Sequence, residues 1–422
     1  MRKSKMGNGS YVKTLNDINT LNVAKSTNVV DEKYRMPEER RNEIEKEESP
    51  KSEDKLSVKS KDLLSYEFSA GNFYKFTTIV YIIQTIINKY ANMIVSSDRK
   101  YEYNYDYNKF EQLIIEGSII FYYDDQLFYY IVNHRNFMNK IVSNKDVSEL
   151  INKIKIELKE NNPLRNKHLY LYENCDGLNG TIKKRPSITF SDVILDEKLK
   201  SDIYDNTIFH LDNMNENNGV IIFGKPGIGK SLICSAIINE AIEKGYNTCY
   251  LCTKVNFESL EEFIKEFLAP CILVYEDIDS FGQDRKDTLN SGLSPFLQFI
   301  NGLTDGNDKI VFVATTNYLE HLDDAIKDRP MRFNRKFEFK YPTSNEIDQL
   351  IELYFDKNIS EKYSQRCYEK NFTGAHIKEI KRTATILSLK EKNAIENVFE
   401  KSVDLVASNF STTLKQKPGF NQ

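Results

Sequence analysis

The sequence predicts an α/β protein centred on a parallel, doubly wound sheet. Between residues 187 and 342, apolar strand-like runs alternate with stretches of helical periodicity, the pattern that parallel strands joined by crossover helices require. One run, Val220-Ile221-Ile222-Phe223, feeds a glycine-rich turn that opens straight onto a helix carrying Leu232, Ile233, Ala236, Ile237 and Ala241 on one face. A second run, Cys271-Ile272-Leu273-Val274-Tyr275, ends in the acid pair Glu276-Asp277.

Ahead of this core, residues 1–62 hold two aromatics, Tyr11 and Tyr34, and mixed charges clustered in Glu38–Glu48. Such a segment buries too little apolar surface to offset its ordering entropy, so a disordered arm is expected. Residues 63–185 read as a small, β-rich α+β accessory domain. Ile79–Val95 repeats apolar residues at 79, 82, 83, 86, 87, 90 and 94, which predicts an amphipathic helix; Gln84, Asn88 and Lys89 make it too polar to span a membrane. The alternation Tyr101 to Tyr107 predicts a half-buried strand. Ser118–Tyr123 and Gln126–Val132 are two more, joined by Asp124-Asp125 as a hairpin turn. A helix at Ser148–Lys159 and a strand at His168–Glu173 close the unit, and Asp176 to Gly180 reads as a turn before a basic linker, Lys183 to Pro186. The tyrosines alternate with acidic or neutral residues, whereas a nucleic-acid groove interleaves Lys and Arg; sheet packing is the better reading.

With 58 basic and 62 acidic side chains, the chain has no global attraction for nucleic acid or anionic lipid. The six cysteines include Cys249 and Cys252 at metal-ligand spacing, but on a strand they face opposite ways, so reduced thiols are expected. The N-terminus is polar well past the usual length of a secretory signal, so none is expected, and the expected location is the cytoplasm.

Chemistry concentrates in Gly224-Lys225-Pro226-Gly227-Ile228-Gly229-Lys230-Ser231, which fits G-x-x-x-x-G-K-S in the strand–loop–helix setting the pattern needs. Glycines let backbone N–H groups turn around a polyphosphate at a helix N-terminus. Lys230 is placed to reach the β- and γ-phosphates and the Ser231 hydroxyl to ligate magnesium, with Leu232 counted among the nucleotide-contacting residues. In the acid pair, Glu276 is the magnesium-side group and Asp277 the base that deprotonates water. Asn317, after the buried strand Ile310 to Thr316, is positioned to hold that water. Asp328-Arg329-Pro330-Met331-Arg332 presents two arginines, the residue type suited to transition-state phosphoryl charge.

Taken in order, the phosphate loop, acid pair, Thr315-Thr316-Asn317, Arg329-Pro330-Met331-Arg332-Phe333 and Phe372-Thr373-Gly374-Ala375 resemble the AAA ATPases over about 188 to 400. The resemblance implies an α/β ATPase domain at 186–342, a helical lid at 343–408 and a flexible tail at 409–422. It implies ATP and Mg2+ as ligands, and a homo-oligomeric ring, hexamer or heptamer, in which Arg329 and Arg332 act on the neighbour's ATP. Asn317 becomes the polar sensor, and Asp192, Val193, Gly374 and Ala375 flank the adenine. Thr343-x-x-Glu346 predicts the first lid helix, with two more around 377–387 and 391–405. The Glu-Asp order and the lack of an aromatic-glycine pore motif, with Phe257 the one nearby aromatic candidate, are similar to the branch that includes the mitochondrial Rieske-protein translocase, without its membrane helix. The expected function is an ATP-driven, chaperone-like motor acting on a protein substrate. An ATPase on nucleic acid and an ATP-controlled scaffold are the alternatives.

Overall fold

The computed structural model of the chain describes residues 63–68, 70, 72–90, 92–106, 109–174, 177–252, 255–278, 293–304, 306–322, 333–355 and 357–410. The expected arm at 1–62, the tail from 411 onward, Arg329 and Arg332 lie outside these residues.

The first sheet is antiparallel, with order β1-β5-β4-β3-β2 among β1 (Leu64–Phe68), β2 (Asn92–Asp106), β3 (Lys109–Tyr123), β4 (Gln126–Asn133) and β5 (Met138–Ser143). Asp124 and Asp125 turn the β3–β4 hairpin with φ of 50° and 58°, a left-handed pair that short aspartates tolerate and that matches strand twist. Two helices, α1 (Phe73–Tyr90) and α2 (Ser148–Glu160), pack with this sheet. Ile79, Ile82, Ile83, Ile86 and Ile87 of α1 are buried as their spacing predicts. The helix stops short of Val95, which pairs in β2 with Ile119. Gln84, expected on the polar face, is buried and exchanges hydrogen bonds with the backbone of Ile114 at 2.7 and 3.0 Å.

The second sheet has the order β12-β8-β11-β10-β9-β6-β7. Its strands are β6 (His168–Asn174), β7 (Gly177–Lys183), β8 (Asn218–Gly224), β9 (Asn247–Leu251), β10 (Cys271–Tyr275), β11 (Ile310–Thr316) and β12 (Arg335–Phe339). All pairs are parallel except β6–β7. Two expectations are corrected. The strand at 168 belongs to this sheet, in parallel register with β9, rather than to the accessory sheet. Residues Gly177 to Gly180, read as part of a turn, begin β7. Gly180 signals close approach rather than a bend, since a Cβ there would sit 2.8 Å from Leu171 and Tyr74. The basic segment after β7 is docked: Arg185 hydrogen-bonds Asn239 and Glu243.

Alternation along the strands serves both faces. Ile221, Leu273, Tyr275 and Phe312 point to one, Val220, Ile222, Val274 and Val313 to the other. Against the first lie α5 (Phe257–Phe263), which runs on through a wider turn to Leu268, and α6 (Leu293–Thr304). Phe312 is packed among Phe296, Phe299 and Phe333, with centroids 5.8 to 6.4 Å apart; truncating it to alanine would cost about 3–5 kcal/mol. Phe257 belongs to this core, its ring 5.0 Å from that of Phe299. The second face is covered by α3 (Glu197–Tyr204) and α4 (Lys230–Glu243).

The first face shares one continuous core with the antiparallel sheet. Lys75 of α1, its side chain 4% exposed, pairs with Glu262 at 2.8 Å and Glu266 at 2.7 Å. Burial lowers the Lys75 pKa, but these two carboxylates outweigh it and hold the value above the usual one. Tyr74 adds a ring contact to Phe263 at 5.3 Å.

Four described helices follow: α7 (Ser344–Glu352), α8 (Lys357–Glu369), α9 (Gly374–Glu391) and α10 (Ile395–Phe410). The sequence expectation was three; α8 was missed. Thr343 and Glu346 form the expected capping box, and α7 to α10 enclose a core of their own around Ile347, Ile377 and Phe399. Helix α10 continues past Ser408, where fraying was expected.

Candidate nucleotide site

Three neighbouring parallel strands, β8, β11 and β10, deliver the predicted residues to one edge of the sheet. Carboxyl ends of parallel strands at a change of strand order form the crevice in which open α/β sheets bind ligands. Gly224 ends β8, Asn317 follows β11, and Glu276 and Asp277 follow β10.

The loop is bent by glycines at positive φ: 145° at Gly224, 78° at Gly227 and 104° at Gly229. A Cβ on Gly224 would lie 2.2 Å from the Phe339 carbonyl oxygen of β12, and one on Gly227 would lie 2.8 Å from the Ala375 Cβ. At Gly229, by contrast, a Cβ would meet nothing within 4 Å. Lys225 and Pro226 are exposed and Ile228 packs on the second face. The Lys225 ammonium sits 4.9 Å over the Tyr318 ring. Ser231 is exposed on the first turn of α4, at the positive end of its dipole. Leu232, expected on the apolar face, is 39% exposed beside it: the helix turns that position away from the sheet.

Lys230 is buried, and its ammonium donates to the carbonyls of Gly224 at 2.7 Å and Lys225 at 3.1 Å and to Asn317 Oδ1 at 2.8 Å. Asn317 Nδ2 donates in turn to Asp277 Oδ1 at 3.2 Å. One amide thus bridges the phosphate-side cation and the carboxylate expected to act as base. Asp277 has φ of 55° and donates its backbone N–H to Thr315 Oγ1 at 3.1 Å, so β11 supports an uncommon backbone state at β10's end. Glu276 Oε2 accepts from the Tyr250 hydroxyl of β9 at 2.7 Å. Burial, followed by the bond to Glu276, pushes the Tyr250 phenol up, so it stays a donor. Burial and the nearby Glu276 charge also raise the Cys234 thiol on α4.

Tyr250 and Cys234 were not predicted at the site, and Thr315 was noted only within the Thr315-Thr316-Asn317 motif. Strand register brings Tyr250 and Thr315 there, and α4 brings Cys234.

On the opposite side of the loop, Ala375 donates its backbone N–H to the Gly227 carbonyl at 3.3 Å. Gly374 lies alongside, at the start of α9. That helix is capped by Thr373, whose N–H donates to His376 Nδ1 at 3.1 Å. Asp192 uses its carboxylate locally, accepting from Thr189 N at 2.8 Å and Thr189 Oγ1 at 2.7 Å, while Val193 is buried against the second face.

The residues fit a magnesium-bound triphosphate: open space at Gly229, a buried lysine, and a hydroxyl and carboxylate as hard oxygen donors. Fold and site together place the chain among the P-loop nucleoside triphosphatases, and the sequence comparisons narrow that class. Residues 220–341 match the model of the ATPase family associated with various cellular activities (AAA), so the chain carries a domain of that family. The domain binds and hydrolyses ATP, with Mg2+ as the usual partner ion.

The ATP-dependent zinc metalloprotease FtsH of Mycoplasma genitalium is 29% identical over 211 residues, 44% of this chain and 29% of that protein. Tat-binding homolog 7 of Caenorhabditis elegans is 27% identical over 36% of this chain and 13% of its own length. Human ATPase family AAA domain-containing protein 2B is 25% identical over 44% and 14%. The chain therefore spans less than a third of the length of each. No described helix is long and apolar enough to cross a membrane.

Proposed function

We propose that the chain is an ATP-hydrolysing ring motor that remodels or translocates a protein substrate selected by its N-terminal accessory domain. The observation carrying this reading is the Lys230–Asn317–Asp277 hydrogen-bonded series. It joins the phosphate-binding lysine to the carboxylate assigned as base, with a side-chain amide between them. Lys230 holds the β- and γ-phosphates, Asn317 orients the attacking water, and Asp277 takes its proton. Ser231 and Glu276 would hold magnesium, which when bound would supply charge neutralisation at the phosphates. Asp192, Val193, Gly374 and Ala375 border the adenine.

Members of the family typically form oligomeric rings. A hexamer or heptamer is proposed here, with Arg329 and Arg332 reaching the neighbour's nucleotide. We assign 63–167 as the accessory unit, 168–342 as the ATPase, since β6 and β7 extend its sheet, and 343–408 as its lid. The shared core and the Lys75 ion pairs support mechanical continuity between accessory unit and ATPase. Phe257 is buried, which favours remodelling over processive threading by an aromatic at that position. No His-Glu-x-x-His pattern occurs in the 422 residues, so the protease activity named in FtsH is not carried over.

ATP turnover measured alone, with an unfolded protein and with single-stranded DNA tests the reading. Stimulation by the unfolded protein is expected. Stimulation by DNA alone would favour the nucleic-acid motor, and tight ATP binding without turnover would favour the scaffold.

A further inference from the structure

We propose that Tyr250 is a positioning residue that fixes the magnesium-side carboxylate Glu276, and that Tyr170 of β6 braces it. The proposal rests on the ATPase reading above and concerns a residue outside the phosphate loop and the acid pair.

Tyr250 pairs with Val274 across the parallel β9–β10 ladder, and Glu276 lies two residues beyond Val274. Period two puts Val274 and Glu276 on the same face, the one that α4 covers. Tyr250 packs on that face as well, and its hydroxyl reaches diagonally to Glu276 Oε2 at 2.7 Å. A glutamate carries one more rotatable bond than an aspartate, and a carboxylate free to sample several rotamers is a poor fixed ligand. With Oε2 anchored on a phenol, Oε1 is the carboxylate oxygen that would serve a metal.

Tyr250 is itself held. Tyr170 is its register partner on β6, and the two rings stack with centroids 6.0 Å apart and planes 22° apart. Tyr170 also receives the Lys183 ammonium of β7 at 5.1 Å from its ring centroid. The two strands that extend the sheet beyond β9 thereby back the metal carboxylate. Partners of this kind, one step behind a ligand, commonly tune metal affinity by about 10- to 100-fold.

The test uses the full chain bound to a non-hydrolysable ATP analogue and titrated with manganese(II), a paramagnetic stand-in for magnesium followed by its electron spin resonance. Tyr250→Phe keeps the ring and removes the hydroxyl. Manganese should bind about tenfold more weakly, while affinity for the nucleotide in EDTA stays as in the wild type. In a Glu276→Gln background the same substitution should add little further loss. Tyr170→Leu should shift manganese affinity in the same direction by about threefold; no change there would remove its bracing role. Wild-type manganese affinity in Tyr250→Phe, or an equal loss with and without Glu276, would overturn the proposal while leaving the ATPase reading intact. A wild-type chain that binds the nucleotide analogue but takes up no manganese would overturn both.

Discussion

The nucleotide site has two borders built in different ways. Along the strand ends, Lys230, Asn317 and Asp277 are joined by hydrogen bonds and set by the ladders of β8, β11 and β10. Along the helical border, the loop meets α9 through one backbone hydrogen bond of 3.3 Å and the close approach of Gly227 to Ala375 and Thr373. Moving a strand end means breaking a buried sheet, whereas the loop's own tie to α9 is one backbone bond worth about 1 kcal/mol and a small contact. Fixed chemistry thus lies beside an adjustable cap, the arrangement expected where closure on nucleotide drives movement.

If that contrast holds, strand-end substitutions should affect chemistry or binding most. Lys230→Ala removes the buried ammonium and should weaken ATP-analogue binding at least about a hundredfold in a fluorescence titration. Asn317→Ala should lower kcat by about 10- to 100-fold, while nucleotide affinity changes by less than about threefold. On the helical border, Gly227→Ala places a Cβ against Ala375 at φ of 78°. A loss of about 1–2 kcal/mol of stability in denaturant melts and a few-fold weaker nucleotide binding are expected.

The smallest expected effect is that of pH on the α9 cap. Burial holds the His376 imidazole below its usual pKa, and its neutral Nδ1 accepts the Thr373 N–H. A base whose pKa is depressed by folding contributes stability above its unfolded value of about 6.5, lost as pH falls through the folded value. Hydrogen-exchange protection factors at the start of α9 should fall below about pH 6.5, and less so in His376→Gln. Unchanged protection down to pH 5 would remove the histidine from the cap.

The sequence made the parallel sheet legible because its strands are continuous apolar runs, and the loop because its chemistry needs particular residues at set spacing. Lys230, Asn317 and Asp277, each named from the sequence, lie in one hydrogen-bonded series. What it missed follows from register and packing. Nothing local shows that β6 lies against β9, so Tyr170 and Tyr250 could not be connected to Glu276. Helix α8 is dominated by polar residues, and its buried Ile359, Tyr363 and Cys367 form only a narrow stripe. Gly177 to Gly180 has the composition of a turn but takes a strand's place beneath Tyr74.

The assignment of Asp277 as base is tested by its Asn variant, compared with the wild type in ATP binding and in single-turnover hydrolysis. The amide can still accept from Asn317 but cannot take a proton from water. Binding should stay within about threefold of wild type and the hydrolysis rate should fall at least about a hundredfold. Hydrolysis at the wild-type rate would contradict the role of Asp277 and, with it, the account of the strand-end border as the seat of the chemistry.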